Sequence, residues 1–190
     1  MIYLDNNATT RPLPEVVAAV HEALTQSWAN PSSKHVAGEQ ARGKVTEARA
    51  AVARLLGAQP AELVFTASAT EANAMALHAA LAVPGAPRRV VLSAVEHSGL
   101  VHVATVLAGQ GVEILRLPVD AHGVVRCETL PALLEGGAAL VSVMAANNET
   151  GVIQPVAEVL RLASAAGVPV HVDATQAAGR VPVDFAGLGA

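Results

Sequence analysis

The chain has 190 residues, 52% hydrophobic and 15% charged, with a net charge of −4 and a mean hydropathy of +0.42. This composition excludes disorder, and a mildly acidic chain without blocks of like charge makes nucleic acid and anionic membrane poor partners. No apolar run approaches the roughly 18 residues of a membrane span. The start of the chain has neither a basic n-region nor an apolar h-region, and Cys127 is the single cysteine, so the expected setting is the reducing cytoplasm.

Residues 1–13 read as an irregular N-terminal arm, because Asp5-Asn6-Asn7-Ala8-Thr9-Thr10-Arg11-Pro12 is polar and turn-rich. Residues 14–60 read as helical. One helix begins near Pro14 with Val16, Val17, Val20 and Leu24 on one face. Asn30-Pro31-Ser32-Ser33 is a loop, and a long helix follows from about Gly38 to Leu56, with Gly57 suited to its C-terminal cap. From residue 61 the rhythm changes. Short apolar segments at Leu63–Phe65, Arg89–Leu92, Val112–Leu115, Leu140–Met144 and Val168–Val172 alternate with helical stretches near Glu71–Ala82, Leu100–Ala108, Leu130–Glu135 and Val156–Ala166. That alternation predicts an α/β fold, a mostly parallel sheet with helices on both faces. The tail from Val183 reads as a connection into another strand, so the expectation is a portion of a longer protein.

Four polar clusters fall at the ends of predicted elements, where open α/β sheets bind ligands. In Phe65-Thr66-Ala67-Ser68-Ala69-Thr70-Glu71-Ala72-Asn73 a strand gives way to a helix through small residues. The first helical N–H groups suit a phosphate, while the plainer reading is a helix capped by Thr70. Val95-Glu96-His97-Ser98-Gly99 places a histidine where it could stack on a planar ligand or move protons; the alternative is a solvated loop. Ala145-Ala146-Asn147-Asn148-Glu149-Thr150-Gly151 offers two amides, or simple turn chemistry. Val170-His171-Val172-Asp173-Ala174-Thr175-Gln176 ends an apolar run in a carboxylate. A bare charge there costs several kcal/mol unless a cation meets it, and a protonated pyridine nitrogen is such a cation. His171 reads as a packed residue behind Asp173, and His35 is left undecided. His21, His78, His102 and His122 read as surface or packing residues. No Gly-rich dinucleotide fingerprint, P-loop or zinc-like spacing is present.

These segments, with Asp5–Thr10 and Asn30–Ser33, occur in an order and spacing that closely resemble the NifS/IscS-type cysteine desulfurases, within the class V aminotransferase group of pyridoxal-phosphate enzymes. The resemblance runs the whole length of the chain and corresponds to that family's N-terminal half. It implies the fold-type I pyridoxal 5′-phosphate transferase architecture, with 61–190 as the first part of the cofactor-binding large domain. It also implies roles. Ala69 and Thr70 would hold the cofactor phosphate. His97 would stack on the ring and assist proton transfers as the catalytic residue. Asn148 would lie beside cofactor and substrate carboxylate, Asp173 would pair with the ring nitrogen, and Gln176 would bond the ring hydroxyl oxygen. The implied reaction converts L-cysteine to L-alanine, with sulfur taken as an enzyme persulfide. The implied partners are an iron–sulfur scaffold or another sulfur acceptor, and a second copy in a homodimer.

Two departures stand out: the family has Gly where Ser68 stands and Ser where Ala72 stands. The family's Schiff-base lysine lies in a Ser-x-His-Lys segment beyond position 190, with its nucleophilic cysteine and substrate-binding arginine later still. Lys34, Lys44 and Cys127 do not match those positions, so the chain alone is expected to be inactive. A selenocysteine lyase or aminotransferase of the same group, a non-catalytic scaffold or regulatory protein, and a generic Rossmann-like binding domain remain alternatives.

Overall fold

The computed structural model describes residues 2–6 and 9–188. The chain separates into two compact units, Met1–Leu63 and Val64–Ala190. Asn7 and Ala8 of the expected arm, and Gly189 and Ala190 of the tail, lie outside the described residues.

The first unit is helical. Helix α1 spans Pro14–Gln26 with Pro14 at its first position, where a missing N–H costs nothing. Val16, Val17, Val20 and Leu24 are all exposed, and no residue of α1 is buried. Helix α2 spans Val36–Leu56 and starts two residues ahead of the expected Gly38. The reason is His35, whose Nδ1 accepts from the Gly38 N–H at 3.2 Å and so acts as the N-cap. Gly57 ends α2 at φ +67°, in the left-handed region that glycine adopts without strain. Lys44 pairs with Glu22 of α1 at 3.0 Å, and that bond raises its pKa.

The expected strand at Leu63–Phe65 does not form. The segment follows a 3₁₀ turn at Pro60–Glu62, whose Pro60 carbonyl accepts the Leu63 N–H. The Leu63 carbonyl is taken by the Arg49 guanidinium, so both backbone groups of Leu63 are already engaged.

The second unit is a parallel four-stranded sheet in the order β2-β1-β3-β4, built from β1 (Arg89–Ser93), β2 (Glu113–Leu117), β3 (Leu140–Met144) and β4 (Val170–Asp173). Each lies within two residues of its sequence expectation at either end. The helices are α3 (Ala69–Ala82), α4 (Ser98–Gly109), α5 (Leu130–Leu133), α6 (Val156–Ala165) and α7 (Phe185–Leu188). The expected helix at 130–135 shortens to α5 preceded by a 3₁₀ turn, Cys127–Thr129.

Alternate residues of each strand face opposite sides of the sheet. Val90, Leu92 and Leu140 pack with Leu77, Leu100, Ala104 and Leu107 of α3 and α4. Val91, Val141 and Val143 pack with Leu130, Val156, Val159 and Ala163 of α5 and α6. Register then fixes the rest. Leu92 is opposite Ser142, Ser142 opposite His171, and Met144 opposite Asp173, so His171 and Asp173 share the face covered by α3 and α4. Among the described residues, no helix is long and apolar enough to cross a membrane.

Leu77 is fully buried and fastens α3 to the sheet. Leu77→Ala is expected to cost about 2–5 kcal/mol, the range for emptying a well-packed leucine site. Urea unfolding at neutral pH measures it, and a loss below about 1 kcal/mol would mean that α3 is not held by this core.

Candidate functional site

Asp173 is the last residue of β4 and is buried. Its Oδ1 accepts from the Thr175 N–H at 3.0 Å and from the Thr175 hydroxyl at 2.6 Å. Its Oδ2 accepts from Asn73 Nδ2 of α3 at 2.8 Å. Burial pushes the Asp173 carboxyl up, but the bonds from Thr175 and Asn73, together with His171, outweigh it and hold the group below its ordinary value. The acid is therefore ionised and buried. A carboxylate offers about four lone-pair positions. The described residues fill three of them.

His171 sits behind this acid. Its Nδ1 lies 2.9 Å from the Ser142 hydroxyl, and burial lowers its pKa against the pull of Asp173. The imidazole is thus a neutral packed neighbour.

The N-terminus of α3 is closed differently from the sequence expectation. Ser68, not Thr70, is the N-cap: its hydroxyl accepts from the Glu71 N–H at 3.2 Å, and Glu71 Oε2 accepts from the Ala67 N–H at 2.6 Å. Thr70 becomes the second residue of the helix and stays exposed. The N–H groups of Ala69 and Thr70 have no partner inside the helix. The Ser68 departure from the family pattern therefore has a structural role here.

His97 caps α4, its Nδ1 accepting from the Gly99 N–H at 3.1 Å. In the neutral ring this assigns the proton to Nε2. The ring itself is exposed. A Cβ at Gly99 would lie 3.0 Å from Thr70 Oγ1 and 3.2 Å from His97 Nδ1. A side chain there would require the Thr70 or His97 side chain to give way by a few tenths of an ångström, so glycine suits the close approach of the starts of α3 and α4.

After β3, turn chemistry belongs to Asn147. Its Oδ1 accepts from the N–H groups of Glu149 and Thr150, both at 2.9 Å, and its Nδ2 donates to the Val95 carbonyl at 3.2 Å. The half-buried side chain of Asn148 makes no hydrogen bond among the described residues. Gln176 is half-buried, and its Oε1 accepts from Arg180. Its amide N–H₂ group is left as a donor.

Cross-links join these parts. Asn73 ties α3 to β4, and Gly99 brings the α4 turn against Thr70. Asn147 ties the loop after β3 to the loop after β1, while the Ala145 N–H donates to the Asp173 carbonyl at 2.8 Å. Thr70, His97 and Asp173 thus stand on elements linked at one rim of the sheet, and Asn148 and Gln176 lie in the segments that follow β3 and β4. A separate cavity of about 500 Å³, lined by apolar residues including Ile153, Val172 and Val181, holds none of them.

Sequence reading missed two participants, Asn73 and Glu96. Asn73 lies 100 positions from the acid it holds, and its one local signal is a polar residue one turn before Leu77 on the buried face of α3. In the sequence Glu96 stands out only as the neighbour of His97, yet it is buried and its Oε1 accepts from the Ser93 hydroxyl and from the Met144 N–H. Cys127 packs against the core beneath α5 and α6, and burial raises its pKa, so it is not poised as a nucleophile.

Comparison with known proteins adds the following. Residues 2–190 match the family described as Aminotransferase class-V. "Cysteine desulfurase 2" of Trichormus variabilis is 45% identical over 185 residues, covering 97% of this chain and 46% of that protein. A solved structure described as a NifS-like protein superposes with a TM-score of 0.94 at 36% identity, over 98% of this chain and 52% of its own. Another, SspA in complex with cysteine, superposes with a TM-score of 0.91 at 27% identity, over 98% and 54%. The chain spans about half the length of the curated relatives it matches.

Asn73→Ala removes the donor to Oδ2 and is expected to cost about 1.5–3 kcal/mol at neutral pH, the range for a hydrogen bond to a charged group. Because the folded pKa of Asp173 is depressed, its ionisation stabilises the fold above the ordinary carboxylate value and that contribution is lost as pH falls through the folded value. Asn73→Ala raises the folded value, so the deficit should shrink as the pH falls from neutral through the depressed folded value of Asp173, below the ordinary carboxylate range. Equilibrium unfolding at neutral pH and below that folded value checks this. An equal deficit at both would mean that Asn73 acts by packing alone.

Proposed function

The chain belongs to the aminotransferase class-V family, and on that footing we propose that it carries the pyridoxal 5′-phosphate site of a cysteine desulfurase. The observation that carries the proposal is Asp173, a buried acid kept ionised by three donors and fastened to the helix whose first N–H groups have no partner inside the helix. A buried carboxylate of this kind is matched by a cation, and a protonated pyridine nitrogen is the planar cation that fits beside an anion-binding helix start.

The residues present fit the cofactor. When bound, it would supply an electron sink for bond cleavage at the amino-acid substrate's α-carbon and beyond. The protein's own groups divide the remaining work. The N–H groups of Ala69 and Thr70 and the Thr70 hydroxyl would hold the phosphate. Each hydrogen bond to that charged group would contribute about 1.5–3 kcal/mol, more than the ~0.3–1 kcal/mol of the helix dipole. Asp173 would keep the ring nitrogen protonated. Gln176, its Oε1 already engaged, would donate from its amide to the ring hydroxyl oxygen. His97 would lie against the ring and exchange protons through Nε2, because Nδ1 is held by Gly99. Asn148 would use its unengaged amide to orient the substrate carboxylate.

The substrate proposed is L-cysteine, with L-alanine as product and the sulfur carried as a persulfide on a cysteine other than Cys127. The partners proposed are a second copy of the chain and a sulfur acceptor such as an iron–sulfur scaffold. The identity to a named cysteine desulfurase supports this substrate over the other amino acids that class-V enzymes handle.

The test is a visible spectrum of the full-length protein with pyridoxal 5′-phosphate, before and after L-cysteine. A pyridoxal band that changes on addition, with stoichiometric alanine, is expected. A band indifferent to cysteine would overturn the assignment. Asp173→Asn should retain the fold and lower turnover by about 10²–10³-fold, as for loss of one preorganised electrostatic partner.

A further inference from the structure

Glu96 has no role in the scheme above, yet it is buried against the rim. It follows the short turn after β1 and immediately precedes His97. Its Oε1 accepts from the hydroxyl of Ser93, the last residue of β1, at 2.5 Å. The same oxygen accepts from the N–H of Met144, the last residue of β3, at 2.8 Å. Met144 is the register partner of Asp173, so this bond crosses from the His97 turn to the strand beside the acid. Glu96 Oε2 is buried and accepts no hydrogen bond among the described residues. Ser93 and Met144 alone would be served by any acceptor. A carboxylate adds a charge that a strap does not need.

We propose that Glu96 is a positioning residue that locks the His97 turn to the end of β3 and adds its negative charge to that of Asp173 in holding a cationic ring. The proposal rests on the cofactor reading above and extends it to a residue outside the contact set. Burial pushes the Glu96 carboxyl up to about 6, against the bonds from Ser93 and Met144. Asp173 at the end of β4 adds to the rise, and Arg116 on β2 opposes it. Burial lowers the pKa of His171, on the face shared with Asp173, against the pull of that acid. A cation paired with Asp173 cancels the charge that disfavours ionised Glu96. By reciprocity, ionised Glu96 favours the cation, so binding and Glu96 ionisation are linked.

The experiment measures the affinity of the full-length apoprotein for pyridoxal 5′-phosphate against pH, in wild type and in Glu96→Gln. Glutamine keeps an oxygen for Ser93 and Met144 and removes the charge. The ligand's own titrations cancel in the ratio of the two affinities. That ratio is expected near one at about pH 5, rising to roughly three- to tenfold at about pH 7.5. The midpoint should fall where Glu96 titrates, at about 6. Ser93→Ala supplies a second arm that keeps the charge. It removes a donor that lowers the carboxyl's pKa, so the wild-type-to-variant difference should appear only near the midpoint and the midpoint should move upward. A ratio independent of pH, or a midpoint that Ser93→Ala leaves in place, would reduce Glu96 to a strap and overturn the proposal. If wild type fails to bind pyridoxal 5′-phosphate, the cofactor reading falls and this proposal with it; intact binding with a flat ratio overturns this proposal alone.

Discussion

Asp173 ends a parallel strand in a buried position, where an isolated carboxylate would be several kcal/mol uphill. It stays ionised because Thr175 supplies two donors to one oxygen and Asn73 supplies a third to the other. The Thr175 bonds are local and come with the turn. The Asn73 bond is long-range, and it requires α3 to lie on the same face of the sheet as the acid. Every other candidate residue is placed relative to that contact. Thr70 precedes Asn73 on the same helix, His97 approaches Thr70 across Gly99, and Asn148 follows the strand that neighbours β4.

The core makes this placement rigid. Period-two alternation sends Val90, Leu92 and Leu140 toward α3 and α4, and the same parity carries His171 and Asp173 to that side. Leu77 holds α3 down one turn after Asn73. Packing and polar contact therefore come from adjacent turns of one helix, so the ionised acid is supported by an element that the apolar core already fixes. Because the four strands are parallel, their carboxyl ends share one rim, and loops 52 positions apart in sequence become neighbours there, as Asn147 and Val95 do.

Much of this was legible in the sequence because it depends on local chemistry. Parallel-strand segments, the Gly57 cap, the α6 helix and an acid at the end of β4 all follow from apolar runs, glycine and periodicity. The misses share a cause: they depend on which partner takes a bond. Leu63–Phe65 has strand-like residues, but the Leu63 carbonyl is claimed by Arg49. The stretch 66–71 contains three hydroxyls able to cap a helix, and local pattern does not rank them; the backbone selects Ser68. His35 looked undecided because capping by an imidazole depends on its ring orientation. Asn73 and Glu96 carry polar groups whose partners lie in other elements, where no periodicity reaches.

The same accounting of partners explains why polar residues come in neighbouring sets at this rim. One residue satisfies the turn, and another keeps donors available. Ser68 closes the helix start, leaving the N–H groups of Ala69 and Thr70 without a partner inside the helix. Asn147 takes two backbone donors and spans to Val95, leaving the Asn148 amide unengaged. His97 divides the two tasks within one ring, with Nδ1 on the backbone and Nε2 outward. Gln176 divides them within one amide, with its oxygen on Arg180 and its nitrogen available. A loop whose single polar residue served both tasks would lose its shape whenever a ligand competed for that residue. Separating the tasks lets the rim bind and release a polar group without rebuilding its turns.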